Sequence, residues 1–447
     1  MENILSLNEV FLYQLRLLDG IGPVLEDLWR FFWAWGWIVL PFFLLPIAKE
    51  QWLFWRNGIW DDVNNKQILL EVRIPGEVIK PMRAMDVLLS GVWQLYGPPN
   101  WFEKWWNGQY DFSFSLEIAT IDGVPHFLIR IPEKQRVMFE QHIYGQYPEA
   151  EIFQVEDYTK LVPKNIPNER WDIWGTDYTM PKDDSYPLKT YRDFETEKEV
   201  LEEKRIDPMA SLMEGLSRLE AGEQMWISIK LTPVTVDTHD FIDRSKKIYE
   251  KLAGRKENGP PPALWKQILS TLTGYPKISE EKGKEEIYPA EMKLTPGERE
   301  TLEGIEKKRK ENVFIALVRY VYVARKDKFS VSKRIKIPMS YFNQFNNPGR
   351  GFMIPLTSAI TKVKQNWYDW FWMLDKRLYV KKRKMFRSYC RRLPSSYPLS
   401  KKQETFVLST SEVATMYHFP SRTTSPSSVI PRVESRKKEA PHNLPVE

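Results

Sequence analysis

The run Arg377–Arg392, RLYVKKRKMFRSYCRR, is where residue types most directly suggest chemistry. Its cations Arg377, Lys381, Lys382, Arg383, Lys384, Arg387, Arg391 and Arg392 interleave with Tyr379, Phe386 and Tyr389. Such a segment can neutralise the phosphates of nucleic acid or of an anionic lipid surface while its rings pack or stack. The bland reading is a solvated helix or strand edge with the rings turned inward, the usual role of a charge run. Other chemistry is thin. The single cysteine, Cys390, excludes an intramolecular disulfide and a cysteine-rich metal site. The histidines His126, His142, His239, His418 and His442 are scattered and lack partners at metal-ligand spacing. No Gly-x-x-x-x-Gly-Lys-Ser/Thr, Gly-x-Gly-x-x-Gly, His-Glu-x-x-His or Gly-x-Ser-x-Gly occurs. The sequence therefore implies no metal and no cofactor, and argues against an enzyme. Asp61-Asp62 reads as a helix cap or surface feature rather than a catalytic dyad.

The elements that would position such residues are clearest between Lys66 and Tyr158. Gln67–Pro75 is a strand rich in aliphatic and β-branched residues, ending at Pro75-Gly76. Met82, Met85, Leu88, Leu89, Val92 and Leu95 recur at helical spacing. Phe112, Phe114, Leu116 and Ile118 alternate with polar or small residues, which predicts a half-buried strand. Asp122-Gly123 signals a two-residue hairpin. A second helix over 133–147 and a strand over 151–158 complete a β-α-β-β-α-β unit. The stretch 159–187 reads as a linker. A second α/β module over 188–375 repeats the order of elements, with an insertion at about 254–310. In it Thr295 and Glu298 have capping-box spacing. A basic and aromatic segment with a short helix follows at 376–420, and 421–447 reads as an extended tail.

The N-terminus differs. Residues 1–30 form an amphipathic leader, and Phe31–Ala48 is apolar and uncharged. That length is near the lower limit for crossing a bilayer core roughly 30 Å thick. Trp29, Trp33, Trp35, Trp52 and Trp55 would supply interfacial rings. The expected fold is thus α+β, with a transmembrane helix at 31–48 followed by two ferredoxin-like modules. The expected placement is single-pass in the inner (cytoplasmic) membrane, with most of the chain cytoplasmic.

Two stretches carry a family resemblance. One is FSLEIATIDGVPHFLIRIP with EQHIYGQYPEAEIFQVEDY, including Tyr144, Gln146, Tyr147 and Pro148. The other is TFVLSTSEVATMYHFP and the tail beyond it, including His418, Phe419 and Pro420. Both resemble the membrane-anchored, non-ATPase region of a bacterial family related to conjugation-type (type IV) secretion ATPases of the TraG, HerA and FtsK kind. That family is best represented in candidate-phylum bacteria. In its fused members a motor domain follows the tail. Here the chain ends at Glu447, where that motor would start.

The resemblance implies a non-catalytic, membrane-anchored accessory or scaffold subunit that docks a separately encoded P-loop motor ATPase. It also implies DNA as a further partner, and a homo-oligomer if the motor is a ring. The alternative, from another functional class, is a membrane-tethered protein that binds nucleic acid or anionic lipid through Arg377–Arg392.

Overall fold

The computed structural model describes residues 2–75, 80–194, 207–235, 239–253, 294–365, 371–395 and 404–420. It comprises two compact units, one of Met1–Asp62 with Asn100–Gln109, the other of Val63–Pro99 with Tyr110–Glu447. The tail 421–447, His442 and the insertion residues 254–293 lie outside the described residues.

The first unit is dominated by helix α1 (Glu2–Val63), which contains Pro23, Pro41 and Pro46. Among the described residues, no helix is long and apolar enough to cross a membrane. The expected transmembrane helix at 31–48 is corrected accordingly, and with it the single-pass inner-membrane placement. The reason lies in length and composition. Such a run rises about 27 Å as helix, short of a hydrocarbon core of about 30 Å. Trp33, Trp35, Trp37, Pro41 and Pro46 also displace aliphatic residues within it. Of the expected interfacial rings, Trp29, Trp35, Trp52 and Trp55 are exposed, and the side chain of Trp33 is outside the described residues. Trp52 instead donates its indole N–H to the carbonyl of Trp105 at 2.9 Å, and its ring lies 6.2 Å from that of Trp106. The Lys49 ammonium stands 4.9 Å over the Trp105 ring. Gly108, at φ +74°, closes this turn where a Cβ would strike the backbone of Arg56.

The second unit is built on one sheet, nine-stranded among the described residues and antiparallel at each pairing. Its first half comprises β1 (Gln67–Arg73), α2 (Arg83–Trp93), β2 (Phe114–Ile121), β3 (Val124–Pro132), α3 (Arg136–Gln146) and β4 (Glu151–Val155). The β2–β3 turn has Asp122 at φ 48° and Gly123 at φ 82°, the double left-handed pair that a tight hairpin needs. The second half comprises β5 (Trp171–Thr179), α4 (Met209–Ser217), β6 (Glu223–Val234), α5 (Phe241–Leu252), α6 (Pro296–Lys310), β7 (Val313–Arg325), α7 (Lys336–Asn343) and β8 (Ile354–Pro355). The capping box at Thr295 and Glu298 opens α6. Strand β5 falls in the stretch read as a linker.

Strand order across the sheet is β4-β1-β3-β2-β6-β7-β5-β8. Each half therefore runs fourth, first, third, second, and the two halves join through their second strands. That join extends from Phe114↔Leu231 to Thr120↔Met225. Finally β9 (Phe406–Ser409) adds to the start of β7 and leads into α9 (Thr410–Met416). The architecture is α+β, and the corrected element is the membrane-crossing helix.

The two faces of the sheet differ. Helices α2, α3, α4, α7 and α9 cover one face, around Leu116, Ile118, Phe139, Leu212, Phe314 and Tyr341. The other is covered by the chain around Tyr158–Ile166 and by α8 (Phe371–Cys390), through Met385, Phe386 and Tyr389. The expectation of a half-buried β2 is therefore corrected. Its alternation divides its residues between two cores, and Ser115, Glu117 and Ala119 are as buried as Leu116 and Ile118.

Phe114 sits at the join, with its ring 5.3 Å from Phe139 of the first half and 5.8 Å from Phe314 of the second. Phe114→Ala should lower stability by about 3–5 kcal/mol, the usual cost of emptying an aromatic core site. Thermal unfolding of the sheet should shift as one transition. Two transitions, only one of them shifted, would show that the halves unfold separately.

Candidate functional site

Helix α8 is amphipathic at helical spacing. Met385, Phe386 and Tyr389 point to the sheet and are buried, whereas Arg377, Lys384 and Arg387 are exposed. The helix ends in a Schellman arrangement, with Leu393 N–H donating to Ser388 O at 2.9 Å and Arg392 N–H to Tyr389 O at 2.8 Å. The left-handed position of that motif usually holds glycine, but here it is Arg392, at φ 52°. What holds an arginine there is its side chain. The guanidinium forms a fork on Glu117, with Nε and Nη2 at 3.0 and 2.9 Å from the two carboxylate oxygens. It also reaches Asp157 at 2.6 Å and lies 5.4 Å over the ring of Tyr158. The Tyr158 hydroxyl donates to Glu117 at 2.7 Å and lies 2.7 Å from the Tyr389 hydroxyl.

Burial opposes ionisation of Glu117 and Asp157, but the charge and hydrogen bonds of Arg392 outweigh it and hold both carboxyls below their usual range. Burial raises the Tyr158 and Tyr389 phenols well above theirs. It likewise pushes the Cys390 thiol up.

The residues expected to contact an anion therefore divide. Arg392 is interior. Lys382 is held by Asp172, with its ammonium 2.7 Å from both carboxylate oxygens. Arg383 is half-buried, while Arg387 and Arg391 are exposed away from the sheet. Arg377, Lys381 and Lys384 line a cleft of about 1170 Å³ between α8 and the segment 357–364. Among the described residues its lining also includes Lys362, Lys364 and Lys376, with one acid, Glu404. Lys381 is partly withdrawn from water, and that burial, with Arg377 beside it, lowers its pKa. It also donates to the Lys362 carbonyl at 3.2 Å, which ties the two walls together. Glu404 accepts from the Ser395 hydroxyl at 3.1 Å and is almost fully buried. The run Arg377–Arg392 did not reveal Lys362, Lys364 or Lys376. The only signal was the alternation of basic and apolar residues in ITKVK.

The other expected residues are structural. His126 lies 2.7 Å from Glu71, and His239 accepts from the Phe241 N–H at 3.1 Å. Among the described residues there is no group of three or more His, Cys, Asp or Glu that could hold a metal. Asp61 and Asp62 lie in the last turn of α1.

The two stretches that carry the resemblance meet in the apolar core. The ring of Tyr147 lies 5.2 Å from Phe419, edge to face, and Phe127 lies 6.0 Å from Phe419. The Tyr417 hydroxyl donates to the Leu128 carbonyl at 3.2 Å. His418 is buried, 3.0 Å from Asp207. Burial would discharge it, but the Asp207 charge prevails and raises its pKa. Tyr144 and Pro148 are exposed, and Gln146 and Pro420 are half-buried.

The model of a family described as a domain of unknown function (DUF8128) matches residues 107–430. The chain belongs to this family. No curated protein matches it. The DUF8128 match thus takes in β2 to β9 and the whole cationic cleft, and begins after β1 and α2, although β1 lies between β3 and β4.

In this DUF8128 protein, Arg392→Met should cost about 3–5 kcal/mol at pH 7, because it strands a buried carboxylate. Carboxylates with depressed folded pKa values stabilise above their unfolded value, near pH 4, and lose that contribution as pH falls through the folded value. In the variant, Glu117 takes up its proton readily. The gap between wild type and variant in urea unfolding should therefore narrow from pH 7 to pH 4. Glu117→Gln added to Arg392→Met should recover much of the loss. A gap independent of pH would show that Arg392 acts through packing alone.

Proposed function

We propose that this protein is a non-catalytic scaffold subunit of a conjugation-like, type IV secretion-like machine. It holds nucleic acid in the α8 cleft, while a P-loop motor ATPase supplies the work. The observation that carries the nucleic-acid part is the cleft itself, with Lys362, Lys364, Lys376, Arg377, Lys381 and Lys384 facing one another across a concavity. Among the described residues its lining carries six cations and one acid, which suits a polyanion. A concave site also suits a chain threaded along it better than the flat plane of lipid headgroups. The motor part rests on the resemblance of the stretches around Tyr147 and Phe419, and on the absence of a phosphate-cradling loop from the sequence.

Binding of labelled nucleic acid should weaken steeply with salt, because each neutralised phosphate releases condensed counterions. Joint replacement of Lys376, Arg377, Lys381 and Lys384 by Gln should make the slope of log K against log salt shallower by about 3. An unchanged slope in a variant that melts like wild type would remove the cleft from the reading. Vesicles of anionic lipid form the second arm, and binding to them alone would assign the cations to headgroups. A tagged chain purified from native cells should bring a P-loop ATPase with it. Repeated purification without one would sink the motor part.

A further inference from the structure

We propose that the outer edge of β4 takes up an extended, basic segment of a partner protein as an added strand. β4 ends the sheet, and among the described residues it pairs with β1 alone. In an antiparallel ladder both backbone groups of a residue turn to the same side, and successive residues turn to opposite sides. The Glu133 N–H donates to the Lys66 carbonyl at 2.8 Å, which turns the even-numbered residues of β1 toward β3 and the odd-numbered ones toward β4. Through the register Glu71↔Phe153, residues 151, 153 and 155 then bond β1. The N–H and C=O of Ile152 and Gln154 are left on the outer side. Open edges are commonly blunted by shortness or by proline. β8, at the other end of the sheet, has both, being only Ile354 and Pro355. β4 has neither, with five residues and no proline.

The surroundings of this edge select its occupant. On one face Phe153 is 42% exposed, with the Arg73 guanidinium 5.1 Å from its ring centre. On the other, Arg136 of α3 donates to the Gln154 side chain at 2.8 Å, so the helix runs beside the edge. Arg136, Glu140 and Tyr144 follow at four-residue intervals along one row of α3, and Tyr144 is 41% exposed. An added strand would set one side chain beside Phe153 and the next beside that row. Backbone bonds then give affinity, and alternate side chains give selectivity. Charge decides between occupants. Glu149, Glu151 and Glu156 are exposed just before, on and just after β4. The arginines that touch the edge are already committed, Arg136 to Glu140 at 2.7 Å and Arg73 to Glu71 at 2.9 Å. The edge is therefore acidic and attracts a segment in which Lys or Arg alternates with apolar residues. It repels a second copy, because pairing β4 with its like would gather two sets of these carboxylates on one seam.

The experiment is fluorescence anisotropy on the full chain with a labelled peptide, Lys-Val-Lys-Val-Lys-Val-Lys, whose charge keeps it off the cationic α8 cleft. One control is the same peptide N-methylated at two adjacent central residues, which keeps its charge and removes an N–H from each of its edges. The other is Glu-Val-Glu-Val-Glu-Val-Glu. The first peptide should bind about tenfold or more tighter than either control. Gln154→Pro removes an outward N–H, a change that an edge strand tolerates, and its melting temperature checks that. It should weaken the first peptide by about tenfold. Joint Glu151→Lys and Glu156→Lys, both at exposed positions, should turn the preference toward the Glu peptide. Equal binding of the N-methylated peptide would overturn the inference, leaving charge attraction without an added strand. No binding of the first peptide by the full chain would overturn it, as would unchanged binding by a Gln154→Pro variant that melts like wild type. A wild-type dimer in sedimentation that Gln154→Pro turns into a monomer would overturn it too, by assigning the edge to a second copy.

Discussion

A carboxylate in the middle of a sheet is the constraint that organises the second unit. Glu117 lies on β2, directly opposite Ser228 of β6, where the two halves join, and is fully buried. An unpaired charge there would cost several kcal/mol. Arg392 neutralises it from 275 residues further along the chain. To do so, the arginine adopts a left-handed conformation at the end of α8, and Tyr158 and Tyr389 close around it. The position of α8 follows from that pairing. The wall of the cleft is another face of the same helix, so the charges presented outward are held in place by a charge cluster within.

The same face carries further buried ions. Glu71 bonds Arg73 and His126, and Arg319 forks onto Asp177, whose carboxylate also accepts from the Ser395 N–H. The opposite face is packed with rings and aliphatics. One sheet thus separates an apolar core from a mixed one, in which Trp226, Val321 and Val323 lie on the same face as the buried ions, and β2 alternates in polarity although both of its faces are covered. Buried pairs of this kind add little net stability when intact, yet breaking one is expensive. They therefore penalise a slipped register more than they reward the correct one.

Much of the first half was legible because its signals are local. Helical periodicity marked α2, Asp122-Gly123 marked the hairpin, and β-branched residues marked β1. The second half was less so. β5, WDIWGTDYT, sits in a stretch rich in Pro, Asp and Trp, and its side chains serve both cores, Ile173 one and Trp174 with Tyr178 the other. Nothing in the sequence distinguishes Lys382 and Arg392 from Lys381 and Arg391. Their counter-charges, Asp172 and Glu117, are 210 and 275 residues away. The cleft was half legible for the same reason, since Lys362 and Lys364 reach it only once the loop folds against α8. The apolar stretch of α1 misled in the opposite direction, because uncharged length resembles a span even where Trp and Pro replace aliphatic residues.

The long separation of Glu117 from Arg392 also bears on how the chain is made. At about 5–20 residues per second, ribosomes need roughly a quarter of a minute to a minute to cover that interval. Throughout it the nascent first half can cover its ring-packed face with α2 and α3, both local in sequence. Its other face has to stay wet, because the partner of Glu117 does not yet exist. Closure by α8 is a late event, and the strand β9, which comes after it in the chain, can dock only later still. The molecule therefore matures from one side of its sheet to the other, and the cleft is among the last of its features to take shape.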